Sequence, residues 1–151
     1  LKEQSKKHGA LGMGYTYGGH PVSCAVALET LKIYEERNIV DRVRELAPRF
    51  QERLSALSKS SLVGEARGVG LIGALELVAD KNTREQYPAE QKIGATVAAR
   101  ALNHGLVVRA LPGDVIGICP PLIITIEQID ELFDSLSIAV TETEALVKKA
   151  A

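Results

Sequence analysis

The stretch from Leu62 to Asp80, LVGEARGVGLIGALELVAD, decides the fold. Its apolar residues do not follow the three- and four-residue spacing of a helix, and glycines interrupt it at intervals. This pattern predicts successive β-strands. A second pair of apolar runs, 106–111 and 115–119, is separated by the turn residues Pro112-Gly113-Asp114. Hairpin-type connections of this kind predict a mainly antiparallel sheet.

Two helices are predicted ahead of these strands. Proline is favoured at a first helical position, so Pro21 should begin a helix that continues to about Arg37. Within it, Cys24 lies among small apolar residues and is interpreted as a small buried hydrophobe. Apolar residues recur at steps of three and four from Ile39 to Leu57, which predicts an amphipathic helix. Pro48 should kink or interrupt that helix.

Two more helices are predicted, one between the strand pairs and one after them. The first spans about 89–104, with Gly105 as its C-terminal cap. The second begins at Thr125 and Gln128, which have the spacing of a capping box. Helices and hairpins in this order predict an α+β fold, with an antiparallel sheet that carries its helices on one face.

Composition excludes several classes of function. The 151 residues suffice for a compact domain, 46% are hydrophobic, and the net charge is -1 at pH 7. Neither nucleic acid nor an anionic membrane is therefore an expected partner. No apolar run has the length of a membrane span, and residues 1–8 do not resemble a signal peptide. The two cysteines lack metal-ligand spacing, so we predict no metal site. These observations together predict a cytoplasmic protein.

The sequence Gly68-Val69-Gly70-Leu71-Ile72-Gly73 matches the G-x-G-x-x-G pattern of dinucleotide-binding proteins. That fingerprint requires a helix directly after it. Here a strand pattern follows instead. We therefore interpret these glycines as positions where strands bend or pack closely.

Arg109, in V-V-R-A-L-P-G-D, follows two valines on a short predicted strand. One interpretation is an exposed strand position that faces water. The other is a site that binds a carboxylate, because a guanidinium group can donate two parallel hydrogen bonds to a carboxylate. The sequence pattern by itself leaves both interpretations open.

The segment Gly14–Pro21, GYTYGGHP, precedes the first strong helix. Backbone N–H groups at a helix N-terminus, together with the Thr16 hydroxyl, could bind an anion. Gly18 and Gly19 would leave the backbone unobstructed for such a ligand. The alternative is a glycine-rich turn that only leads into the helix.

Four motifs in this order resemble the class III (omega) aminotransferases: GYTYGGHP, GEARGVGLIGALELV, HGLVVRAL and IGICPPLIIT. The resemblance is greatest to the branch that acts on amines and omega-amino acids with pyruvate as acceptor. It implies the small C-terminal domain of a fold-type I pyridoxal-phosphate enzyme at 62–151. Residues 1–61 would be the tail of the large domain and connecting helices. Gly18 departs from the family pattern, in which serine is common.

The same resemblance implies roles for three residues. Tyr15 and Thr16 would bind the phosphate of pyridoxal 5'-phosphate, with Thr16 reaching across a homodimer interface into the neighbouring subunit's site. Arg109 would be the mobile arginine that binds a substrate carboxylate and swings aside for an amine.

The resemblance covers only about the last third of such an enzyme. The Schiff-base lysine and the acidic partner of the pyridine nitrogen lie upstream in the family. Lys2, Lys6 and Lys7 lack the context of that lysine. We therefore expect no catalytic residue in this chain, and neither activity nor a bound cofactor when it is alone. The alternative is a truncated, non-catalytic binding or dimerisation module. In either case we expect exposed apolar surface and self-association.

Overall fold

The computed structural model of the chain describes residues 2–9 and 14–150. Within these residues the chain divides into two compact units, one ending at Asn38 and the other beginning at Ile39. The first contains helices α1 (Lys2–His8) and α2 (Pro21–Glu36).

Helix α2 begins at Pro21, as predicted. None of its residues is buried, and its apolar side chains are well exposed: Val22 66%, Val26 62%, Leu28 67% and Leu31 58%. The expectation of exposed apolar surface is therefore confirmed. Cys24 is also exposed, so the interpretation of this residue as a buried hydrophobe is wrong. The apolar residues near it on the helix, such as Val26 and Leu28, are themselves exposed.

The second unit contains three α-helices and four strands among the described residues. The helices are α3 (Ile39–Ala56), α4 (Ile93–Asn103) and α5 (Ile126–Ala150). The strands are β1 (Val63–Val69), β2 (Ile72–Leu77), β3 (Arg109–Leu111) and β4 (Val115–Ile118). They form one sheet in the order β1-β2-β4-β3, and every neighbouring pair is antiparallel. The predicted α+β fold with an antiparallel sheet is confirmed.

The core lies between the sheet and the three helices. Alternate residues of the central strands are buried on this side, including Leu75 and Leu77 on β2 and Ile116 on β4. Phe50 of α3 and Phe133 of α5 are both fully buried, with ring centroids 5.0 Å apart and ring planes at 72°. This edge-to-face pair connects two of the helices above the sheet.

The other side of the sheet, which we call the open face, carries the remaining residues of the alternation. They are Glu65, Arg67 and Val69 on β1, Ile72, Ala74 and Glu76 on β2, Val115 and Gly117 on β4, and Arg109 and Leu111 on β3.

The glycine motif forms the β1–β2 hairpin. Gly68 pairs with Gly73 across the two strands, and Gly70 has a φ of +58° in the turn. A Cβ added at Gly73 would lie 2.8 Å from the Leu54 side chain, so only glycine lets α3 approach the sheet this closely. A strand follows the motif, which confirms that these glycines serve strand packing.

Helix α3 runs through Pro48 without interruption, so of the two predicted effects the interruption is wrong, while a kink stays a prediction. Proline costs about 3 kcal/mol inside a helix. Leu46, Phe50 and Leu54 are each at most 1% exposed, and burial of each such side chain contributes roughly 1.5–3 kcal/mol. This packing offsets the cost of proline.

The same packing places α3 in the same compact unit as the sheet, whereas the sequence predicted a domain boundary at 61/62. The boundary within a longer protein stays a prediction.

The predicted helix caps are confirmed at two places. Thr125 and Gln128 form a reciprocal capping box, with N–H to side-chain oxygen distances of 3.0 and 3.2 Å. Gly105 has a φ of +77° and ends α4. That helix begins later than predicted, because Lys92 adopts a left-handed conformation, with a φ of 49°.

Glu144 joins α5 to the segment before β1 and should make stability depend on pH. Hydrogen bonds from Lys148, Ser61 and Ser60 lower the pKa of Glu144 from 4.5 to about 2. Because this pKa is lower in the folded state, the ionised Glu144 stabilises the fold fully above about pH 4.5. This stabilisation is lost as the pH falls towards 2. We expect Glu144→Gln to cost about 2 kcal/mol at pH 7, allowing for the exposed lysine.

Urea unfolding at pH 7 and pH 3 measures this effect. The difference between wild type and Glu144→Gln should shrink at the lower pH. Glu45→Gln, at an exposed position of α3, is the matched control and should change stability little at either pH. An equal difference at both pH values for Glu144→Gln would contradict the assignment.

Candidate functional site

The segment before α2 folds into a compact turn. The N–H of Gly18 donates to the carbonyl of Tyr15 at 2.8 Å, and the N–H of His20 donates to the carbonyl of Tyr17 at 3.2 Å. Gly19 has a φ of +77°, which favours glycine. A Cβ at Gly18 would lie 3.1 Å from the Tyr15 carbonyl oxygen, so a serine there would require that carbonyl to shift slightly.

This turn presents hydrogen-bond donors at the start of α2. Pro21 occupies the first turn of the helix, and the side chain of His20 makes no capping bond. The backbone N–H of Cys24 donates to His20, whereas the N–H groups before it have no partner within the helix. Thr16 and Tyr15 are both exposed, Tyr15 by 78%. The local geometry therefore suits an anion that accepts hydrogen bonds from the hydroxyl and the free amides.

Arg109 lies on β3, at one edge of the sheet in the second unit, and its side chain is exposed. It takes no part in the ion pairs formed among the described residues. Arg67, on the same face at the opposite edge, donates to Glu76 at 2.8 Å and to Glu65 at 3.2 Å. These carboxylates, Glu76 first, raise the pKa of Arg67. Arg67 is thus already neutralised, while Arg109 remains available to an external carboxylate.

A hollow of about 660 Å³ lies beside Arg109. Its other lining residues are mostly apolar or very small and include Ile72, Ala74, Val107, Leu111 and Gly117. Sequence reasoning identified Arg109 but not these neighbours. The only signal for them is the two-residue alternation of the strands, which places them on the same face once the strand pairing is known.

The described residues give less support to a metal site, a disulfide bond or a membrane span. Among the described residues, no three His, Cys, Asp or Glu side chains are grouped so that they could hold a metal ion. Both cysteines are exposed thiols. No helix in the described part of the chain has the length and apolar character needed to cross a membrane.

The family model described as Aminotransferase class-III matches residues 2–140. The chain therefore belongs to the class III aminotransferases. It is 48% identical over 149 residues to tomato (Solanum lycopersicum) gamma aminobutyrate transaminase 3, chloroplastic, covering 99% of this chain and 28% of that protein.

Two solved structures from Vibrio fluvialis have similar folds. An omega-transferase from strain JS17 matches with a TM-score of 0.85 and 35% identity, over 98% of this chain and 35% of that chain. A PMP-bound aminotransferase matches with a TM-score of 0.83 and 35% identity, over 95% of this chain and 32% of that chain. The predicted family and fold are confirmed, and the chain spans only about a third of these relatives. Cytoplasmic localisation stays a prediction.

The chain's residues fit two parts of the pyridoxal-phosphate chemistry that the family implies. The turn at Tyr15 and Thr16 offers donors for a phosphate group, and Arg109 offers a free guanidinium for a substrate acid. Covalent attachment of the cofactor would need a lysine as well, and the expected absence of that lysine from this chain stays a prediction. All nine lysines are exposed, and none lines the hollow beside Arg109: Lys2, Lys6, Lys7, Lys32, Lys59, Lys81, Lys92, Lys148 and Lys149.

Proposed function

We propose that this chain is the C-terminal part of a pyridoxal-phosphate-dependent transaminase. The complete enzyme would move an amino group from an amine or omega-amino acid to a keto acid such as pyruvate. The observation that carries the proposal is the exposed Arg109, which has no ion-pair partner among the described residues and borders an apolar hollow. This arrangement occurs in a chain that the aminotransferase family model matches over residues 2–140.

In this proposal the chain binds and orients, while the covalent chemistry belongs to the rest of the enzyme. Pyridoxal phosphate, when bound, supplies an electron sink for the bonds around the reacting amine carbon. Arg109 donates paired hydrogen bonds to the substrate carboxylate and so fixes its orientation. Because the arginine is exposed on an edge strand, its side chain can turn towards water when a substrate has no acid.

Thr16 and the first amides of α2 would hold the cofactor phosphate, with Tyr15 beside them. We place this phosphate in the partner subunit of a homodimer. Phosphate is an anion at neutral pH, and a helix N-terminus stabilises negative charge through its free N–H groups and its dipole.

A second candidate function is that of a non-catalytic association module. The exposed apolar residues of α2 favour it, because soluble proteins rarely leave such surface uncovered unless it binds something. This candidate predicts self-association of the isolated chain but no transamination by any longer form of the protein.

Transamination by the protein expressed from its full reading frame distinguishes the two candidates. With pyridoxal phosphate, an amine donor and pyruvate, we expect alanine to form. The 151-residue chain alone should form none under the same conditions. Lack of activity in the protein from the full reading frame would favour the association module. Turnover by the isolated chain would contradict its proposed dependence on an upstream lysine.

Thr16→Ala should weaken retention of pyridoxal phosphate in that protein. Loss of one hydrogen bond to a charged phosphate should raise the dissociation constant about tenfold or more. Thr16→Ser keeps the hydroxyl and should stay close to wild type. Dialysis followed by cofactor absorbance measures the effect. Equal retention by Thr16→Ala and wild type would remove Thr16 from the phosphate site.

A further inference from the structure

The hollow beside Arg109 has a floor with almost no side chains. Strand pairing places Arg109 directly opposite Gly117, and Gly117 directly opposite Ala74. Directly opposed residues of antiparallel strands project to the same face, with Cβ positions about 4.5–5.5 Å apart. On this face, the two positions in line with Arg109 across the sheet therefore carry only a hydrogen atom and a methyl group.

Backbone conformation does not require glycine at position 117. The φ of Gly117 is not positive, unlike that of Gly70 or Gly113 in the turns. Other residues are therefore compatible with this backbone, and most of them would favour the strand more than glycine does, because glycine weakens a strand interior.

Close packing does not require glycine there either. A Cβ at Gly117 would lie 3.3 Å from Cδ1 of Leu111 and 3.7 Å from the carbonyl oxygen of Arg109. The nearer of these atoms is the end of a flexible side chain, so an alanine would fit after a small adjustment. Other strand glycines are far more confined, with nearest distances of 2.6 Å at Gly64, 2.4 Å at Gly68 and 2.8 Å at Gly73.

We propose that Gly117 is a specificity-determining residue, which keeps the floor of the hollow free for the hydrocarbon body of a carboxylate substrate. Arg109 would hold the acid, and the chain of the substrate would lie over Gly117 and Ala74 between the apolar walls at Ile72 and Leu111. The substrate class is an aliphatic carboxylate that is unbranched close to its acid group. This inference rests on the proposed function, because it takes Arg109 as the carboxylate-binding residue.

The test uses the protein expressed from its full reading frame, loaded with pyridoxal phosphate. Two donors of equal chain length are compared, 4-aminobutyrate with a carboxylate and butylamine without one. Cofactor absorbance gives the half-saturating concentration of each donor. In Gly117→Val this concentration should rise about tenfold for 4-aminobutyrate, because its acid, held by Arg109, fixes its chain over position 117. Butylamine has no acid to hold its chain there, so its half-saturating concentration should rise less than about twofold.

Ala110→Val is the matched control. Ala110 follows Arg109 on β3, is exposed, and belongs to the other side of the alternation. It should leave both concentrations unchanged. Thermal unfolding of each variant shows whether the fold is retained. If Gly117→Val does not fold, the two donors are compared in Gly117→Ala instead. A selective rise of about two- to threefold for 4-aminobutyrate supports the inference, and no selective rise overturns it.

The outcomes separate this inference from the proposed function. If Arg109→Gln impairs 4-aminobutyrate selectively while a folded Gly117→Val does not, only the role of Gly117 is overturned. An equal effect of Gly117→Val on both donors also overturns it, because that result indicates a general structural disturbance. If the wild-type protein does not react with either donor, the proposed function fails and this inference fails with it.

Discussion

Arg109→Gln should lower kcat/KM for 4-aminobutyrate about 10- to 100-fold in the protein expressed from its full reading frame. A charged hydrogen bond contributes roughly 1.5–3 kcal/mol, and each 1.4 kcal/mol corresponds to a tenfold change. Glutamine keeps a polar side chain but removes the positive charge and the paired donors. Butylamine, which has no carboxylate, should react with nearly unchanged kcat/KM.

The second donor distinguishes loss of carboxylate binding from general damage to the fold. A variant that merely damaged the fold would lose activity with both donors. Arg84→Gln removes an exposed arginine from the loop between β2 and α4 and serves as the matched control. It should affect neither donor. Equal losses with both donors in Arg109→Gln would show that Arg109 does not bind the substrate acid.

Phe50→Ala should destabilise the chain by about 3–5 kcal/mol. Phe50 is fully buried, packs edge-to-face on Phe133, and lies close to the bare backbone of Gly73. Its removal leaves a cavity where α3, α5 and the sheet meet. Because whole domains are stable by only about 5–15 kcal/mol, this single change should bring the second compact unit near its unfolding threshold.

Urea unfolding followed by circular dichroism measures this loss. Val40→Ala on the same helix is the matched control, because Val40 is 56% exposed and should change stability by less than about 0.5 kcal/mol. A loss below about 1 kcal/mol for Phe50→Ala would mean that α3 does not share a core with α5 and the sheet.

Local signals in the sequence were sufficient for most of the second unit. The capping box at Thr125, the turn glycine at Gly70 and the cap at Gly105 each act within a few residues, so they can be read without knowledge of the tertiary structure. The interruption predicted at Pro48 was wrong for a tertiary reason. The burial of the residues around it, which sequence periodicity indicates but does not quantify, outweighs the local cost of proline.

The candidate site was only partly predictable. Arg67 and Arg109 both lie in strand patterns, yet Arg67 is neutralised by two glutamates and Arg109 by none of the described residues. That difference arises from strand pairing, which joins positions far apart in the chain. The same pairing places Gly117 opposite Arg109. The sequence shows a glycine at position 117 within a strand pattern. It does not show which residue that glycine faces.

The most direct test of the central claim is to locate the lysine that carries the cofactor. The protein expressed from its full reading frame is loaded with pyridoxal phosphate and reduced with borohydride, and the labelled lysine is identified by peptide mass spectrometry. The proposed division of labour predicts a single labelled lysine upstream of this chain. A label on any of the nine lysines within the 151 residues, or on no lysine at all, would contradict it.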